Sequence, residues 1–269
     1  MMLCPARAQL KRLQDELTRP AEALVFGSLV HAMIEEKLLD SPVEDRHGML
    51  ARIWEEDTDG SDLGAFVILS RQDQLIAEAE EAFGQWLRQV LPFLPSSEGL
   101  VERRMCSQIG VHPVDNEAVT MCGTPDVVYP DEHLIVDWKT AGRGWDKQKM
   151  ESQVQPLAYN VLVYDNVDSS QTYDFVYYVY NRQKGNWKKH DYGKPSLVAI
   201  DAFVEQAFGM AVLLYSEPVY TPAGQGRTSR GWHCSPKYCD VWGDCTGRYL
   251  VKDGKERQRE ARLHEKGWN

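Results

Sequence analysis

Residues 123–144 read GTPDVVYPDEHLIVDWKTAGRG, and the fold turns on how they are paired. Two apolar runs, VVY at 127–129 and LIV at 134–136, flank a turn-forming PDEH at 130–133. β-Branched and aromatic residues bounded by Pro, Asp and Gly are the composition of strands and their turns. A hairpin around PDEH brings Asp126 and Asp137 near each other on one sheet. Asp137 and Lys139 are two residues apart, so their side chains leave the same strand face. Charges inside strands are costly unless something offsets their desolvation. A lone D-x-K triplet is common by chance, and a surface hairpin with an Asp–Lys pair accounts for it. The surrounding sequence has to decide.

Upstream, the chain reads as helical. ARAQLKRLQDEL is a short amphipathic stretch. PAEALVFGSLVHAMIEEKLL follows, with Pro20 suited to a first helical turn and a buried face expected at Leu24, Val25, Met33, Ile34 and Leu38. GMLARIWEE and QDQLIAEAEEAFGQWLRQVLPFL continue the pattern. GLVERRMCSQIGV, EAVTMCGTPDVVYP and HLIVDWKT then read as a strand meander. Downstream come a helix at QPLAYNVLVYD, a strand at TYDFVYYVYN with NWKKHDYG as its hairpin partner, and a long helix at SLVAIDAFVEQAFGMAVLLY. Helices, strands, a helix and more strands specify one α/β domain. It divides into a helical region at 1–95, an α/β core at 96–216, a cysteine-bearing segment at 217–250 that closes with Cys4, and a charged tail at 251–269.

The chain has 269 residues, 43% hydrophobic and 26% charged, ample for a real core. No stretch has the length of a membrane span and the start has no apolar signal region, so a cytoplasmic setting is expected, in a bacterium or a phage-infected host. A net charge of −10 argues against sequence-independent nucleic-acid binding through a global positive field. A local basic groove is compatible with it.

Two helical patterns give the acid–acid–lysine set a context. Gly27 and His31 are four apart, on one helix face. The glycine lets that face approach a sheet closely, one turn before the imidazole. Gln155 and Tyr159 share the same spacing, with Gln155 near a helix cap and Pro156 in the first turn, where proline is tolerated. Asp carboxylates suit Mg²⁺ or Mn²⁺, and a lysine beside them can orient a water or stabilise charge on a phosphate. Glu102 in LVERRM is a candidate further carboxylate.

Cys234, Cys239 and Cys245 stand close together in GWHCSPKYCDVWGDC, beside Pro236 and Gly243, the density of a metal site. Cys4 and His233 are the candidate fourth ligands, and iron–sulfur and zinc both fit four thiolates. Cys106 and Cys122 fall in strands and are expected to be buried, inert thiols.

The ordered set G-S-L-V-H (27–31), T-P-D (124–126), D-W-K (137–139) and Q-P-L-A-Y (155–159), framed by Cys4-Pro5 and the three late cysteines, resembles the RecB-like branch of the PD-(D/E)XK nuclease superfamily. It is most similar to the branch's iron–sulfur members: CRISPR-adaptation nucleases, their phage homologues and AddB-type nuclease domains. The resemblance implies a restriction-endonuclease-like core, a central mixed sheet flanked by helices, with an N-terminal helical region and a C-terminal metal-cluster segment. It implies that His31, Asp126, Asp137 and the Trp138 carbonyl bind a catalytic Mg²⁺ or Mn²⁺. Lys139 would orient or activate water, with Gln155 and Tyr159 in support. Cys4, Cys234, Cys239 and Cys245 would ligate a 4Fe–4S cluster, with zinc the alternative. Two features depart from the usual pattern. The second acid is Asp where many relatives carry Glu, and the late cysteines are spaced x4 and x5 where the usual set opens with x2.

The expected activity is metal-dependent hydrolysis of DNA phosphodiesters. Exonucleolytic attack on linear single strands comes first, and duplex is a further substrate. Arg143, Lys147, Lys149, Lys188, Lys189, Arg227 and Arg230 are candidate strand guides, with Trp145 and Trp232 among them as base-stacking candidates. A helicase, recombination or integrase partner fits the resemblance. The rival is a non-catalytic DNA-binding adaptor that keeps the fold. A binding-only protein has no need of His, two Asp and Lys together.

Overall fold

The computed structural model describes residues 22–58 and 71–215. The chain divides into two compact units. The larger comprises Leu17–Val111 and Ala118–Glu205, and the smaller Met1–Glu16, His112–Glu117 and Gln206–Asn269. In the smaller unit the 112–117 turn is closed by the His112 N–H donating to the Glu117 carbonyl at 2.8 Å.

Its described elements begin with α1 (Glu22–Leu38), α2 (Arg46–Thr58) and α3 (Gln72–Gln89), ending in a 3-10 turn at Leu91–Phe93. Strands β1 (Leu100–Val101), β2 (Met105–Val111), β3 (Ala118–Gly123), β4 (Val127–Tyr129) and β5 (Leu134–Ala141) follow. Then come α4 (Lys147–Glu151), α5 (Gln155–Asn166), β6 (Asp174–Asn181) and β7 (Asn186–Gly193), before α6 (Leu197–Tyr215) crosses into the smaller unit. Five strands form one sheet in the order β1-β4-β5-β6-β7, with only β5 and β6 parallel. The sheet is therefore mixed, as a central sheet of this class should be. Among the described residues no helix is long and apolar enough to cross a membrane.

Alternation along the strands builds two cores, one per face. Val136 and Trp138 of β5, Tyr178 of β6 and Trp187 of β7 face α1 and α3, meeting Phe26, Leu29, Val30 and Trp86. The Trp86 and Trp138 rings meet edge to face at 5.7 Å, a geometry that contributes about 0.5–1.5 kcal/mol beyond the buried area. Ile135, Phe175, Tyr177 and Val179 face the other way, onto Leu162 and Val163 of α5. Gly27 is where α1 comes down on β5, since a Cβ there would stand 3.0 Å from Thr140 Oγ1. On the far face the end of β3 leans on α5 at Gly123, whose missing Cβ would meet Leu162 Cδ1 at 2.9 Å.

Four expectations need correction. The meander is not a single sheet, because β2 and β3 pair only with each other and lie against α5. GLVERRMCSQIGV breaks at Glu102, which takes φ +46°, and EAVTMCGTPDVVYP breaks between Gly123 and Val127, where Pro125 offers no N–H to a ladder. Cys106 and Cys122 are directly opposed across β2 and β3, exposed, and joined in a disulfide rather than buried as free thiols. Leu24 is 54% exposed, outside the buried stripe of α1.

Candidate active site

Asp126 and Asp137 come together through the hairpin register. Val127 pairs with Val136, so the next position outward sets Asp126 beside Asp137. The Trp138 N–H donates to Asp126 Oδ2 at 2.6 Å, fixing that carboxylate across the strand pair. Asp137 is fully buried and Asp126 nearly so. Lys139 Nζ lies 2.5 Å from Asp137 Oδ2. Apart from that ion pair, Oδ2 accepts no hydrogen bond among the described residues.

From the other face α1 supplies His31, whose Nδ1 lies 3.6 Å from Asp126 Oδ1. The close approach at Gly27, one turn earlier, is what lets the imidazole reach the sheet. Glu102 arrives from the break between β1 and β2. Its left-handed backbone is unusual for a residue with a side chain, and its N–H is held by the Asp126 carbonyl at 3.0 Å. The ligand atoms of His31, Glu102 and Asp126 all lie within 4.8 Å of one another.

A polar chain runs from α5 to the second aspartate. Helix α5 begins at Gln155 with Pro156 in its first turn, so proline removes no helical hydrogen bond. Gln155 Nε2 donates to Asp137 Oδ1 and to Tyr159 Oη, both at 2.8 Å, and Tyr159 passes its own proton to the Thr124 carbonyl at 3.0 Å. The two Gln155 amide protons and the Tyr159 hydroxyl proton each have one acceptor, so the chain locks Asp137 in one orientation.

The electrostatics point to a missing positive charge. Burial and then the charge of Asp126 push the Asp137 carboxyl well above the usual carboxylate range, against the pull of Lys139 and His31. Burial and Asp126 likewise lift Glu102 to about 7, although His31 opposes the shift. Burial also works against charge on Asp126, but His31, Lys139 and the Trp138 N–H outweigh it and hold that carboxyl low. Desolvation disfavours charged His31 and charged Lys139, and the neighbouring aspartates reverse both, leaving each with a raised affinity for its proton. Two carboxyls with raised proton affinity, beside a buried oxygen whose partner is the Lys139 ammonium, are a donor set that a cation would complete. Hard oxygens with one imidazole fit Mg²⁺ or Mn²⁺.

The remaining candidates distribute unevenly. Arg143 is exposed in the loop after β5. Lys147 pairs with Glu151 at 3.5 Å, and Lys189 with Asp191 at 2.6 Å. Lys149 Nζ sits over the Trp145 ring, 5.0 Å from its centroid, and Lys188 is exposed on β7. Cys4, Arg227, Arg230, Trp232, His233, Cys234, Cys239 and Cys245 lie outside the described residues. Glu102 is the residue that sequence reasoning undervalued. The one signal for it was an acid amid an apolar run, and nothing in LVERRM announces a left-handed break.

The family described as "PD-(D/E)XK nuclease superfamily" matches residues 1–246, most of the chain. No curated protein matches the sequence. A solved structure described as "Crystal structure of SSO0001" is similar at 11% identity and a TM-score of 0.38, covering 90% of this chain and 94% of that one. That likeness is too weak to carry an argument.

Proposed function

Because the chain belongs to the PD-(D/E)XK nuclease superfamily, a group of divalent-metal-dependent nucleases, we propose that it is a deoxyribonuclease acting as an exonuclease on linear DNA. The observation that carries the reading is the convergence of His31, Glu102 and Asp126 within 4.8 Å, on a hairpin that also buries Asp137 against Lys139. His31, Glu102 and Asp126 would hold the cation, with Asp137 Oδ2 adjoining. A bound Mg²⁺ or Mn²⁺ supplies charge neutralisation at the phosphate and a more acidic water.

The chain's own residues do the positioning. Lys139 keeps its proton under the influence of two aspartates, so it acts as a fixed ammonium that orients water and opposes negative charge developing on the phosphoryl oxygens. Asp137 holds that ammonium, Gln155 holds Asp137, and Tyr159 holds Gln155. Hydrolysis forms a bond from the water oxygen to phosphorus and breaks the bond to the 3′ oxygen. One water proton goes to the leaving oxygen and the other to solvent.

The reading extends to a 4Fe–4S cluster on Cys4, Cys234, Cys239 and Cys245, supported by three closely spaced cysteines and by a family match whose span includes all four. Iron and sulfide analysis of protein purified without oxygen tests it, and zinc in place of iron would contradict it. A cytoplasmic setting and a helicase, recombination or integrase partner belong to the same proposal. The test of activity uses end-labelled single- and double-stranded linear DNA, with and without Mg²⁺ or Mn²⁺, and a closed circle as control. Degradation of linear DNA only, lost in Lys139→Ala, is the expected result. Inert wild-type protein that still binds DNA would support the adaptor instead.

A further inference from the structure

We propose that the Cys106–Cys122 disulfide is a reversible modification site, opened by thiol–disulfide exchange with a cellular dithiol, and that its closed form holds Glu102 in place for the cation. The inference rests on the cation site proposed above and adds a redox control of its affinity.

The disulfide stands at the end of the β2–β3 hairpin that leads to the site. Its two cysteines are directly opposed, next to the last pair of the ladder, Met105 and Gly123. Beyond that pair neither chain is strand, and one leads to Glu102 and the other to Asp126. Residues 102–106 and 122–126 thus form the two sides of a frame. The disulfide closes one end, and the Glu102 N–H, donating to the Asp126 carbonyl at 3.0 Å, closes the other.

The two sides are held unequally. On the 122–126 side, the Thr124 carbonyl accepts from Tyr159 Oη at 3.0 Å and the Asp126 carboxylate from the Trp138 N–H at 2.6 Å. On the other side, α5 reaches the strand end alone, through Met105 in the core with Leu162 and through Asn166 Nδ2, which donates to the Cys106 carbonyl at 3.1 Å. Glu102 is the joint between β1, fixed to the main sheet, and β2, which belongs to the hairpin. Its φ of +46° is unfavourable for a residue with a side chain, so the joint needs both neighbours held. A two-stranded hairpin is marginal by itself, and β2 and β3 pair only with each other. The covalent link to the better-anchored β3 side is what keeps β2 at the angle that Glu102 requires. Opening it lets the joint relax and draws the Glu102 carboxylate away from His31 and Asp126.

Both cysteines are exposed, which is the setting of a labile disulfide. A thiolate of the dithiol attacks one Sγ, the Sγ–Sγ bond breaks and a mixed disulfide forms. The second thiol of the reductant then releases the protein, which gains two electrons and two protons as two thiols, while the dithiol leaves as a disulfide. In the cytoplasmic setting proposed above, disulfides are characteristically transient and redox-sensing.

In the test, whole protein is equilibrated without oxygen in oxidised or reduced dithiothreitol, desalted, and titrated with Mn²⁺ under electron paramagnetic resonance. Peptide mass mapping after alkylation should find Cys106 and Cys122 modified in the reduced sample only. Mn²⁺ affinity should fall by at least about fivefold on reduction, and the amides of residues 102–105 should exchange hydrogen faster. Glu102→Gln should bind Mn²⁺ equally in both states, and Cys106→Ser/Cys122→Ser should match the reduced protein in both buffers. A disulfide that stays closed in reduced dithiothreitol would overturn the modification site. Equal affinity of the two states in a protein that binds Mn²⁺, or unchanged exchange in any case, would overturn its hold on Glu102. So would a response that persists in the double variant, since it would belong to other cysteines. Should the double variant fail to fold, the two states of wild type and of Glu102→Gln carry the test. Absence of Mn²⁺ binding in both states counts against the cation site itself, and hydrogen exchange then decides the disulfide's role separately.

Discussion

On one face of β5, Val136 and Trp138 are buried against α1 and α3. On the other, between those two residues on the same strand, the Asp137 carboxyl is buried as completely. Neighbouring side chains thus serve opposite ends. The apolar face binds the helices to the sheet, and the polar face keeps a carboxylate, an ammonium and an amide in one geometry that is unfavourable without a cation. Burial alone does not separate core from site. What separates them is that the polar face buries ionisable groups held by one another.

Exchanging the two kinds of loss breaks this comparison most directly. Asp137→Asn keeps the side-chain shape and should reduce DNA cleavage by at least about a hundredfold, while the metal-free protein melts close to wild type. Trp138→Ala should do the reverse, costing about 3–5 kcal/mol of stability in chemical denaturation through the cavity opened against Trp86. Equal melting losses in the two variants would mean that Asp137 belongs to the structural core.

Gln155 probes the boundary between the two roles. It touches Asp137 and Tyr159 but none of His31, Glu102 and Asp126. Gln155→Ala should lower Mn²⁺ affinity or turnover by about 10–100-fold with little change in melting. An effect within twofold would show that Asp137 needs no such support.

A smaller effect sharpens the electrostatic half. Asp137 and Glu102 have raised proton affinity in the metal-free fold, Glu102 to about 7. Between the usual carboxylate range and that value the folded state holds more protons than the unfolded one. Their contribution to metal-free stability is therefore present at low pH and lost as pH rises through about 7. Cation binding needs them ionised, so the gain in Tm on adding Mg²⁺ should grow between about pH 5.5 and pH 8. A gain independent of pH would remove these carboxyls from the site.

Much of this arrangement is legible in the sequence because local chemistry dictates it. PDEH between two β-branched runs can hardly be anything but a turn, and that alone sets Asp126 beside Asp137. Proline after Gln155 marks a helix start, and the glycine before His31 marks a close approach. What the sequence conceals depends on pairing at a distance. Met105–Val111 and Ala118–Gly123 have ordinary strand composition, and nothing local says that they leave the main sheet and pair their cysteines. Glu102 is hidden for a related reason, because glutamate carries no preference for the left-handed turn that aims it at His31 and Asp126.

The most direct test is a Mn²⁺ titration followed by electron paramagnetic resonance, on wild type, Asp126→Asn and Glu102→Gln at about pH 7.5, above the range in which Glu102 holds its proton. The site described here predicts a bound ion in wild type, lost in Asp126→Asn and weakened by at least about tenfold in Glu102→Gln. Undiminished Mn²⁺ binding in both variants would contradict it.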